Sequence, residues 1–275
     1  MELFDAHAHI NEDYTDEERA ALAEAIEASD VRYVVDAGSD LETSLQAIRD
    51  AEAYDWCWAA VGYHPHEVKH LNEEILAKIV ALAAHPRAVA IGEIGLDFYY
   101  DNSERDDQRR WFRRQIRMAC DLGMPIVIHS RDAEQETMDI LKEEGAFSKE
   151  RQKGFPGRPG PGGEVLPDSR VLIHCFSGSA ETARQYVKLG ATISVCGPVT
   201  FKKSRKIVEV VEQTPLEFLT VETDAPYLAP VPMRGRPNMS PYVEYTCRKV
   251  AEIKGIPYEE AARVTTANAR RFYGL

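Results

Sequence analysis

Short apolar, β-branched runs recur along the chain at 2–7, 31–37, 57–63, 88–94, 125–129, 170–175, 191–196 and 217–222. Each is near-continuous rather than alternating and is flanked by Gly, Asp or Pro. Such runs suit strands covered on both faces, as in a parallel sheet wrapped by helices. Between them the apolar period shifts to 3.6, which marks amphipathic helices. Those stretches are 16–29 (with Thr15 as its N-cap), 41–54, 72–84, 105–122, 132–144, 180–189, 202–212 and 241–254. Eight strands in strict alternation with helices predict an α/β fold closed into a (β/α)8 TIM barrel, one domain over residues 1–275. A doubly wound open sheet is the competitor, but no phosphate-binding glycine fingerprint follows any strand.

One stretch breaks the rhythm. The run 154–163 (GFPGRPGPGG) is rich in Gly and Pro, so it is expected to pack as neither helix nor strand. It reads as an insertion loop covering about 146–169, with a lid over the site as the alternative use.

Composition narrows the class. At 44% hydrophobic and 28% charged, the 275 residues suit a soluble globular protein with ample core. No stretch approaches the roughly 18 apolar residues of a membrane span, and the opening Met-Glu-Leu-Phe-Asp carries no signal-peptide pattern. Five cysteines without a C-x-x-C pair argue against a disulfide framework and for a reducing, cytoplasmic setting. The net charge of −12 speaks against a non-specific polyanion binder, although a local basic rim can still serve one substrate end.

The ionisable residues are not scattered. Of eight histidines, His7, His9, His64, His66, His129 and His174 fall at or just after predicted strand C-termini, and only His70 and His85 lie elsewhere. Barrel enzymes carry their chemistry on that face. Residues two apart on a strand point the same way, so His7 and His9 should both enter the barrel mouth. A hydrogen-bonded buried pair is the plainer alternative. Glu93 lies inside an apolar, glycine-bracketed run, where a carboxylate is costly unless a cation or donor meets it. Asp97 either orients a ligand or starts a turn. His129 and His174 each end an apolar strand. Asp224 follows the eighth strand, and Glu222 two residues earlier faces the same way, so one ligates while the other supports.

Four imidazoles and two carboxylates exceed the roughly three protein ligands that one catalytic zinc needs. Two divalent ions are therefore expected, with Glu93 between them, a hydroxide bridging them, and Asp224 accepting the water proton. Cys175 neighbours His174, and strand alternation sends it into the barrel wall rather than the site. No G-x-S-x-G elbow and no G-x-x-x-x-G-K-[ST] loop occurs.

These motifs resemble the TatD-type metal-dependent hydrolases, often described as deoxyribonucleases, within the amidohydrolase-like barrels. The matching segments are Asp5-Ala6-His7-Ala8-His9, Gly62-Tyr63-His64-Pro65-His66, Gly92-Glu93-Ile94-Gly95-Leu96-Asp97 and Ile128-His129-Ser130-Arg131. They continue with His174-Cys175-Phe176-Ser177-Gly178, Glu222-Thr223-Asp224-Ala225-Pro226 and Arg234-Gly235-Arg236-Pro237-Asn238, in order along almost the whole chain. The resemblance implies that His7, His9, Glu93, His129, His174 and Asp224 bind two metals, with Glu93 and Asp224 catalytic. It also implies that His64 and His66 line the substrate site and that Arg234 and Asn238 lie near it. It implies Mg2+ or Mn2+ for activity, whereas the nitrogen-rich ligands alone favour Zn2+ or Mn2+. One departure concerns Asn238, followed here by Met239-Ser240-Pro241 where the family commonly places Glu-Pro, so an acidic contact is missing.

The leading expectation is a phosphodiesterase acting on DNA, single-stranded or at a strand end. Arg131, Lys202, Lys203, Arg205, Arg234 and Arg236 would rim the mouth and hold phosphates. The alternative is an amidohydrolase or esterase acting on a small molecule or a D-aminoacyl-tRNA through the same centre. A metal-stabilised, non-catalytic scaffold is the third class, and the intact ligand set argues against it. No membrane association and no obligatory protein partner is inferred.

Overall fold

The computed structural model describes residues 1–12 and 14–275. Its strands are β1 (Leu3–Ala8), β2 (Val31–Ala37), β3 (Cys57–Val61), β4 (Ala88–Asp97), β5 (Ile126–Arg131), the short pair β6 (Arg158–Pro159) and β7 (Val165–Leu166), then β8 (Val171–Ile173), β9 (Thr192–Val195) and β10 (Leu219–Val221). The helices are α1 (Asp16–Glu27), α2 (Leu41–Ala53), α3 (Glu73–Ala83), α4 (Arg105–Asp121), α5 (Glu134–Glu143), α6 (Lys149–Lys153), α7 (Ala180–Lys188), α8 (Arg205–Gln213), α9 (Val243–Lys254) and α10 (Tyr258–Tyr273).

All strands except β6 and β7 join one eight-stranded sheet in the order β1-β2-β3-β4-β5-β8-β9-β10, and each neighbouring pair is parallel. The seam between β10 and β1 is closed just beyond the ladder. Asp224 N–H donates to the His7 carbonyl at 2.9 Å, and His9 N–H donates to the Ala225 carbonyl at 2.7 Å. Buried Asp5 adds a clasp, accepting the Thr223 N–H at 2.8 Å and the Thr223 hydroxyl at 2.5 Å. The expected TIM barrel is the fold observed.

Apolar residues fill two layers. Inside the barrel lie Phe4, Ala6, Val35, Ala37, Ala60, Val127 and Leu172, and between strands and helices lie Leu3, Ala8, Ile91, Ile94 and their neighbours. Two strands leave strict alternation where the site is built. In β1, Phe4 and Ala6 belong to the inner layer but Ala8 to the outer one, and the β1–β2 register is irregular between Asp5 and Ala8. In β4, Ile91 and Ile94 both belong to the outer layer, and the register is irregular between them. Such irregularities re-aim side chains; here they turn His7 and Glu93 towards the barrel axis.

Three departures from the sequence expectations stand out. The insertion does carry regular structure: α6 is capped by Ser148, and β6 pairs with β7 in an antiparallel ribbon. Arg158 anchors that ribbon, only 1% exposed, with its guanidinium donating to the Ala191 and Val187 carbonyls and lying 4.3 Å over the Phe218 ring. Helix α10 went unread; its buried face includes the small residues Ala261, Ala262, Thr265 and Ala269 beside Phe272 and Tyr273. It closes the barrel floor, with Tyr273 donating to the Ala6 carbonyl at 2.7 Å and stacking on Phe4. Finally, Cys175 lies past the end of β8 with φ +40°, so strand alternation no longer governs it. Its sulfur approaches Cys196 and Asp224 instead of sitting in the wall.

All five cysteines are free. Among the described residues, no helix is long and apolar enough to cross a membrane.

Candidate metal centre

The strand C-termini bring together all six residues singled out as ligands. His7 Nε2 and His9 Nε2 lie 3.2 Å apart. Glu93 Oε2 lies 3.4 and 3.5 Å from these two nitrogens, and Asp224 Oδ1 lies 3.8 and 3.4 Å from them. Donors bound tetrahedrally at about 2.0–2.1 Å stand about 3.3–3.4 Å from one another. Four of these five distances, at 3.2–3.5 Å, are therefore close to the spacing that one ion imposes, and the fifth, His7 to Asp224, is 3.8 Å. Two imidazole nitrogens aimed at each other and at two carboxylates also make poor sense without a shared cation or proton between them.

The other oxygen of Glu93 faces a second set. Oε1 lies 2.7 Å from His129 Nδ1, 3.3 Å from His174 Nε2 and 3.8 Å from His64 Nε2. His64, expected only to line the substrate site, thus joins Glu93 and His129 in one donor group. His174 also approaches Asp224 Oδ1, at 3.7 Å. The donor chemistry and the spacing fit metal binding on both sides of Glu93.

A second ring of carboxylates holds the imidazoles. Glu222, fully buried, sits 2.8 Å from His174 Nδ1 while accepting from the Cys175 N–H at 2.6 Å and the Ser194 hydroxyl at 2.5 Å. Of the two period-two carboxylates, Asp224 therefore faces the cluster and Glu222 braces it from behind. Asp97 plays both parts that the sequence left open. Its Oδ2 contacts His129 Nε2 at 3.1 Å and His66 Nε2 at 2.8 Å, and its Oδ1 accepts from the Tyr99 and Tyr100 N–H groups. Buried Gln108 on α4 grips the Asp97 backbone at both N–H and C=O, and Gln115 one heptad later does the same for Tyr63. Sequence reasoning missed both glutamines. Their signal was polar residues interrupting the apolar face around Trp111 and Phe112.

Backbone constraints fix these positions. Asp224 takes φ +57°, a left-handed conformation that is costly for a residue with a Cβ and is held here by the clasp to β1. Gly95 in β4 packs so closely on β5 that an added Cβ would fall onto the His129 carbonyl oxygen.

The electrostatics divide the cluster. Burial alone would push His9 down, but its bond to Asp224 and the charges of Glu93 and Asp224 lift it to about 9. His174 likewise rises well above its ordinary value against burial, through Glu222, Glu93 and Asp224. His129 rises against burial through Asp97 and Glu93. His7 and His64 go down, chiefly through burial and then neighbouring imidazoles. Burial would raise Glu93 and Asp224, yet the surrounding histidines hold both carboxyls below the usual range. At neutral pH the carboxylates are thus ionised and draw a proton onto His9, a positive charge that a multiply charged cation would replace on binding.

The basic residues expected at the rim fare differently. Arg131 is exposed at the end of β5, with its guanidinium 4.2 Å over Tyr99 and 4.7 Å over Tyr100. Arg234 is exposed and lies 4.0 Å over Phe201. Asn238 is buried, and its amide donates to the Thr223 and Tyr227 carbonyls, so it pins the loop after β10.

A parallel eight-stranded barrel with these donors at its strand C-termini defines a metal-dependent hydrolase of the barrel type. Residues 4–274 match the model of the TatD related DNases, and the chain belongs to that family. It is 41% identical to the uncharacterized metal-dependent hydrolase YabD of Bacillus subtilis, over 99% of each chain. It is 29% identical to the 3'-5' ssDNA/RNA exonuclease TatD of a Rahnella species, over 99% of this chain and 98% of that one. Among solved structures, the TatD homologue YjjV of Escherichia coli superposes with a TM-score of 0.86 at 24% identity, covering 99% and 98% of the two chains.

Proposed function

We propose that this protein is a divalent-metal-dependent deoxyribonuclease that hydrolyses phosphodiesters from the ends of single-stranded DNA. The observation that carries the reading is Glu93, whose two oxygens face separate donor sets at ligand-like spacing. In this reading His7, His9, Glu93 and Asp224 hold one ion, and Glu93, His129 and His174 hold the other. Such ions supply Lewis-acid activation of water and neutralise charge on the phosphoryl oxygens, with Mg2+ or Mn2+ as the working metal and Zn2+ as a competitor. Asp224 is the general base. Its side chain is 13% exposed where that of Glu93 is 3% exposed, so it meets incoming water, and its depressed carboxyl is ionised at neutral pH. It takes the proton of the attacking water and returns it to the leaving oxygen. His64 and His66 border the scissile group, and Arg131 and Arg234 meet phosphates. The name of the Rahnella relative agrees with a single-stranded substrate, and five free thiols agree with a reducing cytoplasm.

The test strips the protein of metal, verifies this by elemental analysis, and reconstitutes it separately with Mg2+, Mn2+ and Zn2+. Stepwise shortening of end-labelled single-stranded DNA that disappears in Asp224→Asn supports the reading. Intact DNA with metal-dependent cleavage of a small ester or a D-aminoacyl-tRNA would make it an amidohydrolase or esterase instead. Undiminished DNA cleavage by verified metal-free protein would refute the metal mechanism altogether.

A further inference from the structure

Beside the donor cluster stands an aromatic step that the chemistry above does not use. Tyr99 and Tyr100, directly after β4, are 58% and 53% exposed, among the largest apolar surfaces the molecule presents. Their rings stand at 90° with centroids 4.9 Å apart, and the exposed Arg131 guanidinium lies over both. Tyr100 also meets the His66 ring edge-on at 5.4 Å.

This step is fixed relative to the reacting centre. One carboxylate, Asp97, receives both tyrosine N–H groups on Oδ1 and contacts His129 and His66 on Oδ2. Asp97 is itself fully buried, and Gln108 clamps its backbone. The distance from the rings to the candidate metal ligands is therefore set by a single short hydrogen-bonded hub.

Resting on the nuclease reading, we propose that Tyr99, Tyr100 and Arg131 form a stacking platform for the nucleobases next to the scissile phosphodiester. The platform would make base-bearing single strands the substrate class. Each ring, set at a right angle to the other, offers an exposed π-face, and Arg131 adds a planar cation; unpaired bases stack on faces of this kind. The chain's charge points the same way. With a net charge of −12, bulk electrostatic attraction to a polyanion is unavailable, so affinity for a strand end must come from local contacts of this kind.

The experiment compares KM for a decathymidylate and for the same strand carrying abasic tetrahydrofuran units at its last three 3' positions. It uses the metal-loaded wild type, Tyr99→Ala/Tyr100→Ala and Tyr99→Phe/Tyr100→Phe. Stacking on an aromatic side chain changes affinity by about ten-fold or more per base. Wild type should therefore prefer the base-bearing end by about ten-fold or more. The double alanine variant should lose that preference, and the double phenylalanine variant should keep it.

An unchanged preference in the alanine variant, with wild type still cleaving DNA, overturns the platform and leaves the nuclease reading intact. A wild type that hydrolyses bis(p-nitrophenyl) phosphate but neither strand overturns the nuclease reading and the platform with it. Should the alanine variant not fold, wild type alone decides, since equal KM values for the two strands overturn the proposal.

Discussion

Stripped of divalent ions, the protein should lose thermal stability as pH rises from 6.5 to 9, the reverse of its behaviour when loaded. The perturbation is proton removal from His9, buried between Asp224, Glu93 and His7. Its folded-state value of about 9 lies above the 6.5 of an exposed imidazole. A raised imidazole contributes stability that is complete below 6.5 and is lost as pH climbs through 9. The gap corresponds to about 3 kcal/mol, or about 6–12 °C in Tm at about 2–4 °C per kcal/mol for a chain of this size.

The other shifted groups at the site do not cancel this. His174 and His129 are also raised, so they add with the same sign. His7 and His64 are lowered, and their effect is complete by 6.5. Glu93, Asp224 and Asp97 are lowered carboxyls whose stabilisation is lost only in acid. Asp5, which burial raises to about 7, acts between 3.8 and 7 and is flat above. Metal binding needs deprotonated imidazoles, so its stabilisation grows over the same window. The assay is a melt series from pH 6 to 9.5 on chelated protein of verified metal content, with and without Mn2+, and His9→Gln should make the stripped curve shallower. A stripped Tm that is level or rising between 6.5 and 9 would refute the reasoning.

Three further outcomes follow from the packing. Glu222→Gln should weaken metal affinity or turnover about 10–100-fold, because it removes the charge behind His174 while keeping the shape; isothermal titration with Mn2+ alongside kcat checks it. Phe272→Ala, in the plug that α10 drives into the barrel floor, should cost about 3–5 kcal/mol in urea unfolding without altering metal stoichiometry. Gly95→Ala should prevent β4 from seating on β5, so the expected result is insoluble or metal-free protein, and soluble, active protein would show that the strands can part.

Much of this molecule was legible in one dimension. Apolar runs bounded by turn residues located all eight barrel strands, since a strand buried on both faces must be written in such residues. The candidate site residues stood out in the sequence for a complementary reason. A histidine or carboxylate ending an apolar run, as at His129, His174 and Glu93, carries a desolvation cost that only a partner repays.

Tertiary structure decided the rest. Which oxygen of Glu93 faces which imidazoles, and whether Glu222 or Asp224 faces the cluster, depends on register irregularities in β1 and β4 and on the left-handed turns at Cys175 and Asp224. Asp97 became a hub only once β5 and the loop after β3 brought His129 and His66 to it. The sequence could place each group on a strand end, because that follows from local pattern and covalent spacing. It could not place the groups against one another, because their partners lie tens of residues away and meet only when the barrel closes.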